Sequence, residues 1–317
     1  MLPRFGYLKV TSLEQAVRAL DDYAGGGSAC EGGAGGGRGA EARVLAGGTD
    51  LLIGMKDGTA APRHLIDIKH IPELRRIQAD RDGGLTIGAC VTVNEILEFA
   101  ALPEGMAALR QAASSLGTNQ VRNRATVGGN LCNASPACDL GPALLVLGAQ
   151  VRAVSASGDR LIPLRDLFTC PKQTCLAANE LLTEIAMPPA RGTVSGFAKR
   201  TRIRGHDLSV VNAAAAWRRG GAAGRRTGDG GDEGAGLKIA LGAVAPRPLL
   251  MEAFGGADPA SPAGQAAVIK AVMAAIAPID DVRGSGEYRR EMVAFLVGGL
   301  LGTLTEAGGA HEKGGRP

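Results

Sequence analysis

The sequence predicts an α+β protein: two small α+β subdomains followed by a third α+β module. Three features predict it. The 317 residues are enough for two or three packed units. Apolar residues switch between helical spacing and strand-like runs along the first half, with Ser/Thr-x-x-Glu/Gln capping boxes at Ser12–Gln15 and Thr92–Glu95. After the prolyl pair Pro188–Pro189 the character changes to successive strands and then successive helices. Expected boundaries are 1–60 and 61–190 for the two subdomains, 191–308 for the last module and 309–317 for a frayed tail.

The elements follow in order. Leu13, Ala16, Val17 and Leu20 recur at helical spacing behind the first capping box and predict a helix over Leu13–Tyr23. Gly25–Ala40 is a glycine-rich, low-complexity loop. Arg43–Ala46 reads as a strand, Gly47–Gly48 as a turn and Asp50–Lys56 as a short helix. His64–Ile68 and Leu85–Ala89 are strands, the second capping box opens a helix to Ala100, and another helix covers Gly105–Leu116. Leu144–Val154 runs from a helix end into a strand, and Leu181–Met187 is a strand closed by the prolines. Beyond them come strands at Phe197–Thr201, Val210–Arg218 and Leu237–Val244. A glycine- and charge-rich loop, Arg219–Gly236, separates the last two, and helices follow at Ala263–Ile276 and Glu287–Thr305. Aromatics are only 3% of a chain that is 45% hydrophobic, so Leu, Val, Ile and Ala must fill the core.

Composition excludes several function classes. The net charge of +4 is spread through the sequence, with no aromatic-interleaved basic patch, so no nucleic-acid partner is expected. No secretory h-region is visible, and the longest apolar run, Met292–Leu304, is too short and glycine-rich to span a bilayer. A cytoplasmic chain with no membrane span is expected. The six cysteines form no C-x-x-C pair, and separate reduced thiols are the favoured reading. Cys132, Cys138, Cys170 and Cys175 are the set to watch for a redox or metal role. The four histidines show no ligand spacing, and the Rossmann, P-loop, G-x-S-x-G and H-E-x-x-H motifs are missing.

Two paired-glycine turns carry the chemical content. VLAGGTDL spans Val44–Leu51, and ATVGGNLCNASPACDLGP spans Ala125–Pro142, with Asp139 following its glycines. Each turn can set bare backbone N–H groups against a phosphate, and a pyrophosphate offers two. The pair suggests a dinucleotide site of a type other than Rossmann. Read singly, Gly47–Gly48 is a tight turn, Asp139 a helix N-cap, Leu181 a core residue and Lys199 a solvated cation.

AGGTDLL, TVGGNLCNASPACDLGPAL and FAKRTRIRGHDLS, in this order, resemble the FAD-binding middle subunit of the molybdenum hydroxylases. That family includes carbon monoxide dehydrogenase, the flavin segment of xanthine dehydrogenase and 4-hydroxybenzoyl-CoA reductase. The resemblance extends to FGYLKVTSLEQAVRAL, IGACVTVNEI and GAVAPRPL, and so covers nearly the whole chain. It implies a PCMH-like fold gripping FAD between two subdomains, with a C-terminal domain covering the flavin edge.

By the same resemblance, Val44, Leu45, Ala46, Gly47, Gly48, Thr49, Asp50 and Leu51 form the first FAD loop, and Thr126, Gly128, Gly129 and Asn130 the second. Asp139 bonds the adenosine portion or its ribose, Leu181 lies beside the cofactor and Lys199 stands near the flavin ring. Arg202–Ser209 flanks the ring, with Leu208 against it. No acid–base residue is implied. The cysteine-rich insertion that holds a [4Fe–4S] cluster in the 4-hydroxybenzoyl-CoA reductase type is missing between Asn130 and Asp139, so no cluster is expected in this chain. Molybdopterin and two [2Fe–2S] clusters would reside in large and small partner subunits. Electrons would run from those clusters through FAD to NAD, a quinone or another acceptor. Two alternatives stay open: a stand-alone flavin reductase or oxidase of the same fold, and a non-catalytic assembly subunit.

Overall fold

The computed structural model describes residues 2–24, 41–203, 207–218, 236–252 and 254–313. The expected loop 25–40 and nearly all of the expected loop 219–236 lie outside the described residues.

The chain opens with β1 (Gly6–Lys9), α1 (Leu13–Ala24), β2 (Ala42–Leu45), α2 (Leu51–Lys56) and β3 (His64–Asp67). The three strands form a parallel sheet of order β1-β3-β2, so the helical crossovers of the sequence reading are required by topology. Its central strand comes from His64–Asp67, past residue 60. Ala16, Ala19 and Leu20 of α1 bury against Val10, Ile66 and Ile68. Ser12 Oγ accepts from the Gln15 amide, while the Gln15 side chain reaches back to the amide of Thr11 rather than Ser12.

Next come β4 (Ile77–Ala79), β5 (Leu85–Gly88), α3 (Val93–Glu98), α4 (Ala107–Ser115), α5 (Asn119–Arg122), α6 (Val127–Cys132) and α7 (Leu140–Val146). They are followed by β6 (Gln150–Ser155), β7 (Gly158–Pro163), α8 (Leu164–Leu167), β8 (Phe168–Cys170), β9 (Gln173–Thr174) and β10 (Leu181–Met187). An antiparallel sheet of order β4-β5-β10-β6-β7 results. Both halves of the Thr92–Glu95 capping box are made. Strand β7 was not legible, because four of its six residues are exposed at the sheet edge and show no alternation.

The last module holds β11 (Thr193–Arg200), β12 (Val211–Arg218), β13 (Gly236–Gly242), β14 (Leu249–Met251), α9 (Pro262–Ala275) and α10 (Gly286–Lys313). Its four strands form a meander in sequence order. Helix α10 continues to Lys313, past the start of the expected tail, because extending an existing helix needs no new nucleus. No helix among the described residues is long and apolar enough to cross a membrane.

This sheet is covered on both faces. Along β12, Val211, Ala213, Ala215 and Trp217 pack into a core with residues of α9 and α10. Ala214 and Ala216 point the other way and join the main core with Leu109 of α4 and Leu144 of α7. The period-2 alternation therefore sorts one strand between two cores, and alanine on the second face lets the helices of the preceding domain approach closely. At the free edge of β11, the Phe197 amide donates to Gln111 Oε1 of α4 at 2.6 Å, which satisfies one amide of that edge.

Arg289, at the start of α10, is 1% exposed. Its Nη1 donates to the carbonyl of Ala243 at 2.8 Å and its guanidinium pairs with Asp281, which also accepts from Arg283. Burial alone would raise the Asp281 pKa, but the bonds from Arg283 and Arg289 outweigh it and hold the carboxyl well below the usual range. A depressed folded-state pKa contributes stability above the unfolded value that is lost as pH falls through the folded one. Asp281→Asn is therefore expected to melt below the parent at pH 7, with the gap narrowing below about pH 4. A gap independent of pH in a thermal melt series would refute this.

Candidate functional site

The two glycine turns lie side by side. Gly47 packs against the segment leading into the second turn: a Cβ there would stand 2.0 Å from the carbonyl oxygen of Arg124. Gly48 has φ +79°, a conformation that glycine adopts without penalty. Among the described residues, the amides of Gly47, Gly48 and Thr49 donate to no protein acceptor. Val44 and Ala46 lean toward the core under α1, and Leu45 buries with Met55 and Leu65. Leu51 begins α2, and Asp50 occupies its N-cap position without a side-chain cap bond. The Asp50 carboxylate instead accepts from Asn133 Nδ2 at 2.9 Å.

The second turn is built differently. The Val127 amide donates to Val91 O and the Gly128 amide to Ala89 O, both at 3.0 Å. The Gly129 amide donates to Thr126 Oγ1 at 3.1 Å. The first-turn amides of α6 are thus satisfied by the protein. Gly128 is needed for packing, since a Cβ would lie 2.7 Å from that of Ala89. What this turn offers a ligand is side-chain chemistry: the Thr126 hydroxyl hydrogen and the Asn130 carboxamide, which can donate only through Nδ2 and whose buried Oδ1 is an acceptor without a donor. The bare-backbone reading of the sequence fits the first turn; at the second, hydroxyl and amide take that place.

Asp139 sits at the N-cap position of α7, yet its side chain makes no cap bond. Its Oδ2 pairs with Lys199 Nζ at 2.9 Å, and its Oδ1 accepts from Ser209 Oγ at 2.6 Å and Asn212 Nδ2 at 3.1 Å. Lys199 Nζ also donates to the Ser115 carbonyl at the end of α4, at 2.6 Å. The anion lies at a helix N-terminus and the cation at a helix C-terminus, each the favourable end. Lys199 on β11 is the register partner of Asn212 on β12. The Asn212 amide also donates to the Cys138 carbonyl.

The structure thus brings Asp139 and Lys199 into contact. Leu181 lies 3% exposed in the core with Ile66, Ile68 and Cys90. In the segment after β11, Arg202 pairs with Asp207 at 3.2 Å, which holds that carboxyl low, while Ile203 and Leu208 are each 63% exposed. Residues 204–206 lie outside the described residues. Ser115, Asn133, Lys172 and Asn212 escaped the sequence reading, and Ser209 entered it only as the end of the segment expected to flank the ring. Asn212 left a trace: a lone amide in the apolar run VNAAAAW has to find partners when that run is buried.

Five of the six cysteines lie among the described residues. Burial pushes the Cys132 and Cys138 thiols up to about 12, so both stay protonated at neutral pH. Among the described residues no group of three or more His, Cys, Asp or Glu is placed to hold a metal ion.

Comparison with known proteins identifies the architecture. Residues 3–190 match the family described as the FAD binding domain in molybdopterin dehydrogenase. Residues 197–303 match the CO dehydrogenase flavoprotein C-terminal domain. The chain belongs to this family of molybdopterin-dependent oxidoreductase flavoprotein subunits. It is 30% identical over 274 residues to the xanthine dehydrogenase FAD-binding subunit of Escherichia coli O157:H7, covering 85% of this chain and 90% of that protein. It is 31% identical over 299 residues to the carbon monoxide dehydrogenase medium chain of Hydrogenophaga pseudoflava, covering 93% and 95%. A solved carbon monoxide dehydrogenase from that organism, lacking the Mo-pyranopterin moiety, superposes with a TM-score of 0.81 at 29% identity, covering 97% of this chain and 99% of the other. The PCMH-like α+β fold implied by the sequence motifs is the one observed.

Removing one member of the buried ion pair strands the other charge. Lys199→Met is expected to lose about 3–5 kcal/mol of stability. Asp139→Asn combined with Lys199→Met should lose clearly less, because no charge is then left alone. Thermal or denaturant unfolding of the single and double variants tests this, and a double variant as unstable as the sum of the singles contradicts it.

Proposed function

We propose that this chain is the FAD-holding, electron-transfer subunit of a multi-subunit molybdenum hydroxylase. The observation that carries the reading is the pair of abutting turns, one offering the free amides of Gly47, Gly48 and Thr49, the other the Thr126 hydroxyl and the Asn130 side chain. The first turn's backbone donors, without protein acceptors and held open by glycine, suit the pyrophosphate of a dinucleotide. Bound FAD supplies a two-electron carrier able to exchange with one-electron iron–sulfur clusters on one side and an external acceptor such as NAD or a quinone on the other. The chain's own residues position the cofactor. Lys199 sets a cation near the ring, held in place by Asp139 and the Ser115 carbonyl. Leu181 gives one wall its apolar backing, and the exposed Ile203 and Leu208 offer apolar surface to the ring.

The partners in this reading are a large molybdopterin-binding subunit and a small [2Fe–2S] subunit, as the medium-chain names of the relatives suggest. The unpaired thiols of Cys90, Cys132, Cys138, Cys170 and Cys175 support a reducing compartment, the cytoplasm.

Two tests follow. Gly47→Val forces a side chain onto the Arg124 carbonyl and is expected to lower FAD affinity at least about tenfold by fluorescence titration; native-like affinity would refute the role of the first turn. In the purified complex, the hydroxylase substrate is expected to bleach the flavin absorbance anaerobically, whereas the isolated FAD-loaded chain stays oxidised. Bleaching of the isolated chain would point instead to a substrate site of its own.

A further inference from the structure

A line of three side chains ties the two turns together. Asp50 closes the first turn, and its Oδ1 accepts from Asn133 Nδ2 at 2.9 Å. Asn133 is the C-cap of α6, the helix that opens at the second turn. Its Oδ1 accepts from Lys172 Nζ, also at 2.9 Å. The amide is therefore fixed in orientation, nitrogen to the carboxylate and oxygen to the ammonium, which makes it a neutral bridge between opposite charges. Lys172 is itself anchored: its backbone amide donates to Ala134 O at 2.9 Å, and both residues have positive φ, +64° and +44°. The first turn is thus pinned to both flanks of the second, by Gly47 on Arg124 at one side and by Asp50 on Asn133 at the other.

Two attachment points fix a distance and an angle where one fixes only a distance. We propose that Asp50, Asn133 and Lys172 form a latch that holds the two turns at the separation a diphosphate requires. It makes Asn133 and Lys172 positioning residues that select a diphosphate-bearing flavin. Asp50 then does its work through Asn133, since its carboxylate makes no cap bond to α2 and accepts from Asn133 instead. This inference rests on the FAD reading above. It predicts that the latch governs the diphosphate end of the ligand and leaves the ring end alone.

The experiment titrates the full chain, native and Asn133→Ala, with FAD, ADP and riboflavin, alongside thermal melting of the ligand-free protein. The latch predicts that Asn133→Ala weakens FAD and ADP by about tenfold or more, while riboflavin binding is unchanged. The swap Asp50→Asn with Asn133→Asp rebuilds an amide–carboxylate bond and places an anion beside Lys172. It is expected to return FAD and ADP affinity to within about threefold of native. Equal weakening of all three ligands, no weakening of any, or a swap no better than Asn133→Ala overturns the latch. A native chain that binds riboflavin but neither FAD nor ADP overturns the dinucleotide reading itself, and the latch with it.

Discussion

A carboxylate and an ammonium, 10% and 9% exposed, meet where the FAD-binding domain joins the C-terminal sheet. Burying the pair is expensive, because both charges lose water. The arrangement survives because Asp139 accepts three bonds from three residues and Lys199 places two of its three N–H groups, one of them on the last carbonyl of α4. The rest of the junction is shaped around this contact. Ala214 and Ala216 keep β12 low enough for α4 and α7 to lie on it, and Gly242 on β13 leaves room for the Asn212 side chain, which a Cβ would approach to 2.2 Å. Since Lys199 and Asn212 are register neighbours, a one-residue slip of β11 against β12 would turn Lys199 to the opposite face of the sheet. The polar junction therefore fixes register as well as orientation.

The glycines of the two turns do three different jobs. Gly47 permits one turn to touch the other, Gly48 supplies a positive φ, and Gly128 permits a helix to approach the loop at Ala89. The backbone donors without protein acceptors belong to the first turn; the second adds the buried Thr126 hydroxyl and the Asn130 side chain. In the FAD-binding role proposed above, such a site would grip through rigid backbone amides on one turn and side chains on the other, and its fit would depend on keeping the two turns in fixed relation.

Much of this was legible in the sequence, for physical reasons. Capping boxes announce helix starts because their side chains satisfy first-turn amides that have no partner within the helix, and Thr92–Glu95 is made in full. The α1 stripe follows from periodicity, and the strand Leu181–Met187 from a short apolar run closed by two prolines. Strand β7 and the short β8–β9 hairpin were not legible, being exposed or only two or three residues long. In the site, the glycine turns stood out as patterns, whereas Asn133, Lys172, Ser209 and Asn212 act through partners 39 to 83 positions away. No local rule links such residues; only the folded chain brings them together. Asp139 was read as a cap or a cofactor ligand, and its pairing with Lys199 across 60 positions shows why either residue read singly gave an incomplete answer.

FAD binding by this chain is tested most directly by an absorption spectrum of the purified chain followed by acid release and identification of the chromophore. Flavin bands and released FAD are expected, or uptake of added FAD by a protein isolated without it. A colourless chain that takes up no FAD would contradict the FAD reading, and a broad brown absorbance would mean that cysteines of this chain hold an iron–sulfur cluster after all.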